Sequence, residues 1–184
     1  MLLGIAILGI ISPVITGVFA VIVRNNPTVQ TRADDSRSTR GLTTWLPQDV
    51  LSTPPKEVTD GSPGYNVVNT KPSDCTGTSG TNVLHMVWQE DVGSGPVNYV
   101  ANYRYVTSGG TTQLKRYSCS GTGAPPYSNT AVRNATTAVK GTSVFATPIY
   151  SGARLAFVDV ALQTVSGLDV LIRAASRNPA KVLG

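Results

Sequence analysis

Apolar and polar positions follow three regimes along the chain. Met1–Val23 carries no charge and is almost continuously apolar, interrupted only by Gly4, Gly9, Ser12, Pro13, Thr16 and Gly17. At 1.5 Å per residue a helix of this length reaches about 35 Å, enough to cross a bilayer core. The pattern predicts a transmembrane helix over 1–23. A cleavable signal peptide would open with basic residues and close on a small-x-small site, whereas here Val21, Ile22 and Val23 run straight into Arg24, so the segment reads as retained. Pro13 removes one backbone hydrogen bond and is expected to kink the helix inside its packing segment. The glycines offer places for another helix to approach closely.

Residues 24–51 read as an amphipathic continuation of that helix. Val29, Ala33, Leu42, Trp45, Leu46 and Val50 fall at spacings that share one helical face, and Arg32 with Asp35, and Asp34 with Arg37, form i,i+3 pairs. Pro27 and Pro47 are expected to kink it, and Thr53-Pro54-Pro55 to end it.

Residues 52–184 read as a β-rich domain. From 56 to 82 the text is turn chemistry, including Asp60-Gly61, Ser62-Pro63-Gly64 and Lys71-Pro72-Ser73-Asp74. Strand-like runs follow at Val83–Gln89, Val97–Val106, Gln113–Cys119, Ala131–Ala135, Ser143–Ile149, Leu155–Thr164 and Leu168–Ala174. In the second run Val97, Tyr99, Ala101, Tyr103 and Tyr105 share a face. Ser108-Gly109-Gly110 and Val165-Ser166-Gly167 mark hairpin turns. The closing hairpin is expected to bury one face against the helix or a second strand layer. The fold class expected is α+β, with the long N-terminal helix packed on an antiparallel β-sheet domain.

Composition changes this picture little. Only 14% of the 184 residues are charged, and the net charge of +5 is thinly spread. Such a surface reads as solvated and does not form a nucleic-acid patch. Cys75 and Cys119 lack CxxC spacing and neighbouring histidines, which argues against a metal site. A disulfide between them is favoured over two buried thiols, and would contribute roughly 4 kcal/mol through loop closure. One conflict remains: Arg24 and Arg32 lie after the apolar segment, and a positive-inside count would put the domain in the cytoplasm, where a disulfide does not persist.

Catalytic chemistry finds no foothold. The one histidine, His85, lies mid-strand, where a structural role is the ordinary one, and no nucleophile motif, phosphate loop or H-E-x-x-H is present. Glu90 and Asp91 are adjacent and would point to opposite faces of a strand, a poor geometry for paired acid and base. The chain is read as neither an enzyme nor a cofactor binder.

The apolar start, the continuation Thr31–Val50, the run Val97–Tyr105 with its hairpin to Leu114–Tyr117, and the closing hairpin ending at Ala175-Ser176-Arg177-Asn178 together resemble type IV pilin-like proteins. Within that group they look most like minor pilins and the J-type pseudopilins of type II secretion. The resemblance implies a structural filament subunit in the bacterial cell membrane, single-pass, with its main domain extracytoplasmic. The partners implied are other pilin-like subunits, the inner assembly machinery and membrane lipid; neither DNA nor a small-molecule substrate is expected. The family's prepilin leader and its early glutamate are missing from this sequence. Aligning Pro13 with the helix-breaking proline of such pilins implies a short stretch before Met1, whose charges would also resolve the orientation conflict. The alternative is a membrane-tethered binding module for sugar or cell wall that never assembles.

Overall fold

The computed structural model describes residues 29–57, 63–141, 144–152 and 154–176. Two units are distinguished, Met1–Arg37 and Ser38–Gly184. Of the first, the described part is helical from 29 to 37 and largely exposed; Val29 is 63% exposed, and Arg37 Nη1 lies 3.9 Å from Asp34 Oδ1. The expected transmembrane span over 1–23, with the kink at Pro13, lies outside the described residues. No helix among the described residues is long and apolar enough to cross a membrane.

The fold class is corrected. The described chain is mostly β, with eight antiparallel strands in two sheets and one helix, α1, over 29–52, in place of a long N-terminal helix packed on an antiparallel β-sheet domain. The helical periodicity is real only for part of its length. Leu42, Leu46 and Val50 are buried, whereas Val29 and Ala33, assigned to the same face, are exposed. Pro47 does not interrupt α1, which ends as expected before Pro54 with Thr53 Oγ1 donating to the Asp49 carbonyl at 2.7 Å.

The larger sheet has the order β1 (Gly64–Asn66), β2 (Thr81–Asp91), β3 (Pro96–Ser108), β4 (Thr111–Gly121) and β5 (Ala131–Asn134). Gly109 and Gly110 form the two-residue loop between β3 and β4, each with positive φ (58° and 78°). That loop matches the right-handed twist of the strands, and glycine reaches it without strain. The smaller sheet has the order β6 (Phe145–Ser151), β7 (Arg154–Gln163) and β8 (Asp169–Ala175).

One core joins both sheets to α1. Leu42, Leu46 and Val50 pack with Tyr65, Met86, Ala101, Tyr103 and Leu114 of the larger sheet, and with Val158, Val160, Leu162 and Ala174 of the smaller. A bulge in β2 between Asn82 and Leu84 places both Val83 and Leu84 in this core. The closing hairpin, expected to pack against the helix or a second strand layer, forms two of the three strands of such a layer.

The residues after β5 dock against α1 through the backbone. The Leu42 amide donates to the Ala135 carbonyl at 2.8 Å, and the Thr137 amide donates to the Ser38 carbonyl at 3.2 Å. Gly41 permits this approach: a Cβ there would stand 2.7 Å from the Asn134 carbonyl oxygen.

Candidate functional site: a disulfide-clamped loop layer

Side chains on the face of the larger sheet turned away from α1 would ordinarily meet water. Two loops cover them here. One runs from 67 to 80 between β1 and β2, the other from 122 to 130 between β4 and β5. Cys75 and Cys119 are joined as the sequence suggests, with Cα atoms 5.6 Å apart and a separation of 44 positions in sequence. The loops then pair: the Thr76 amide donates to the Tyr127 carbonyl (2.9 Å), the Tyr127 amide donates to the Asp74 carbonyl (2.7 Å), and Thr130 Oγ1 donates to the Thr76 carbonyl (2.7 Å). Val87, Val100 and Tyr127 pack around the disulfide as a second, smaller core.

Beneath this layer lies a buried polar group that the sequence did not announce. His85 is 0% exposed; its Nε2 lies 3.0 Å from Asp74 Oδ2 and its Nδ1 lies 3.1 Å from Asn102 Nδ2. The ring thus bridges the loop carboxylate on one side and the β3 amide on the other. Lys71 Nζ lies 3.8 Å from the other oxygen of Asp74. Burial by itself would raise the Asp74 carboxyl; the hydrogen bond from His85, then the nearness of His85 and Lys71, outweigh it and hold the group below its ordinary value. Arg104 fixes the loop's far end, donating from Nε and Nη2 to the Gly80 carbonyl (3.0 and 2.7 Å) and from Nη1 to the Lys71 carbonyl (3.2 Å). Sealed between an acid and an amide, His85 holds loop to sheet and is out of reach of any ligand.

A second buried charge cluster ties α1 to the opposite face. Arg116 grips Asp49 with two hydrogen bonds (Nε to Oδ2 2.6 Å, Nη2 to Oδ1 2.7 Å), and the Tyr103 hydroxyl donates to Asp49 Oδ2 at 2.7 Å. Burial, then the adjacent Asp49, push the Tyr103 hydroxyl well above its ordinary value. Sequence reading missed both clusters. For the first, the clue available was a pair of polar residues, His85 and Asn102, at strand centres where alternation assigns them to a solvated face.

The turn-rich stretch 56–82 and the segment 122–130 lie far apart in the sequence. The structure brings their described parts together into one covalently closed surface. Glu90 and Asp91 are exposed at the end of β2, away from His85's burial, and among the described residues no group of acidic, histidine or cysteine side chains is set to hold a metal. Comparison with protein-family models, with curated proteins and with solved structures finds no match.

Proposed function

We propose that the chain is a structural subunit of a type IV pilus-like or type II secretion pseudopilus filament, anchored in the bacterial membrane and assembled through residues 1–23, with the β domain outside the cytoplasm. The observation that carries this reading is the uncharged apolar run Met1–Val23, which leads into α1 and a domain closed by a disulfide. A bridge of that kind persists in oxidising surroundings, which supports an extracytoplasmic domain. Stacking of apolar helices needs no active site. Exposed apolar positions at the start of α1, Val29 and Ala33, would be covered by neighbouring helices in such a stack.

The test is photo-cross-linking in cells that express the assembly machinery, with benzoylphenylalanine in place of Phe19. A filament subunit gives a ladder of cross-linked species. A protein that cross-links only to lipid, with the machinery present, is a monomeric tether, and the filament reading fails.

A further inference from the structure

Where α1 leaves the helix-facing side of the larger sheet uncovered, a shallow depression of about 330 Å³ opens over β2, β3 and β4. Trp88 and Tyr99, cross-strand neighbours, stand in it with their rings stacked, centroids 5.8 Å apart and planes 14° from parallel. Ser118, Ser120 and Asn129 also line it, and Arg116 closes one end. The indole N–H of Trp88 is used by Glu90 (3.1 Å), which fixes the ring, and Arg116 is neutralised by Asp49. The side chains of Ser118, Ser120, Asn129 and Tyr99 make no hydrogen bond among the described residues.

We propose that this depression binds one ring of a neutral pyranose sugar. A pyranose presents a face of polarised C–H groups edged by hydroxyls. The C–H face suits the electron-rich face of an aromatic ring, and the hydroxyls, each able to donate and accept, match the two serines, the amide and the phenol that lack partners. The volume falls at the lower end of the range for small-ligand pockets, about 300–1,000 Å³. Other aromatic-seeking ligands fit less well. Single-stranded nucleic acid would need a positive groove tracking its backbone, but among the described residues the one cation lining the depression, Arg116, is already paired with a carboxylate. An acidic sugar meets the same objection. The site is independent of assembly, because a filament subunit and a monomeric tether would both present it.

The test uses the full chain in a zwitterionic detergent without a sugar headgroup. Methyl glycosides of common hexoses and N-acetylhexosamines are titrated while indole fluorescence and amide shifts are followed, with oligodeoxythymidine as the competing probe. At least one glycoside should give a saturable change centred on Trp88, Tyr99 and Ser120. Tyr99→Ala should weaken it at least tenfold, and Ser120→Ala severalfold. Tyr99→Phe should retain most of the binding, which keeps the outcome readable if Tyr99→Ala fails to fold. Absence of saturation with every glycoside, a response unchanged in Ser120→Ala and Tyr99→Ala, or saturation by oligodeoxythymidine alone overturns the assignment.

Discussion

The two faces of the larger sheet are covered by different means. Toward α1 the contact is apolar: Leu42, Leu46 and Val50 meet Met86, Ala101, Tyr103 and Leu114, with the charge pair of Asp49 and Arg116 embedded among them. On the other side the cover is two loops with little apolar area of their own, held by a covalent bond, backbone pairing and the Asp74, His85 and Asn102 group. Hydrophobic area sustains the first contact wherever the chain resides. The second depends on an oxidant to form and on charge to persist. The loop face is thus the redox-sensitive one, and its cover also leans on the buried Asp74 carboxylate.

The largest expected effect breaks the loop face. Replacing both Cys75 and Cys119 by serine should cost about 4 kcal/mol, from the loop closed between residues 44 apart in sequence, read as a shift in the urea midpoint. Hydrogen exchange should accelerate in 67–80 and 122–130 while the Leu42 and Thr137 amides, bonded between α1 and the segment after β5, keep their protection. Equal acceleration on both faces would mean that the cover is not divided as described.

Next, Asp49→Ala attacks the apolar face at its embedded charge pair. It leaves Arg116 and Tyr103 without their partner, a loss of about 3 kcal/mol, at the low end for a broken buried pair because Arg116 keeps some access to water. The double variant Asp49→Leu with Arg116→Met should recover most of it. If the double variant is as unstable as the single, the pair is essential to the contact and the face is not held mainly by apolar area.

How far the sequence foretold these two faces follows from the residues. Strands β2 to β4 and β6 to β8 carry β-branched and aromatic runs between turn residues, and their expected and observed positions differ only at the ends. β1 escaped notice because Gly64-Tyr65-Asn66 is too short to alternate and sits in turn-rich text. The disulfide was legible from cysteine spacing and context. The polar group beneath it was not, since alternation gives a residue's face but cannot say that a loop from elsewhere will cover it. Nor does alternation assign a strand to a sheet, so the division of the strands between two sheets was not legible. Extending α1's apolar face back to Val29 failed because a shared helical phase does not provide anything to pack against.

A third substitution sharpens the apolar contact. Gly41→Ala would bring a Cβ within 2.7 Å of the Asn134 carbonyl oxygen and 2.9 Å of the Ala135 carbonyl oxygen, backbone atoms that cannot swing aside. The segment after β5 must then withdraw from α1, loosening the bonds at Leu42 and Thr137. The overpacking range suggests a loss of about 2 kcal/mol. An increase in stability, as alanine gives in an unobstructed helix, would mean that α1 and that segment do not approach as described.

The smallest effect is the acid response of the loop face. Asp74 is held below its ordinary carboxyl value of 3.8 in the folded state. A carboxylate with a depressed folded pKa contributes stability that is fully present above the unfolded value and is lost as pH falls through the folded one. The urea midpoint should therefore begin to drop as pH approaches 3.8 and continue dropping below it, with exchange in 67–80 rising first. Asp159 on the smaller sheet is lowered too, by hydrogen bonds from the largely exposed Arg173, so the two must be separated. In Asp159→Asn the early exchange in 67–80 should persist, whereas Asp74→Asn should abolish it and leave that loop insensitive to acid. If Asp159→Asn removes the loop's response and Asp74→Asn does not, the acid sensitivity belongs to the smaller sheet, and the loop face is held by its disulfide and backbone pairing without help from the buried carboxylate.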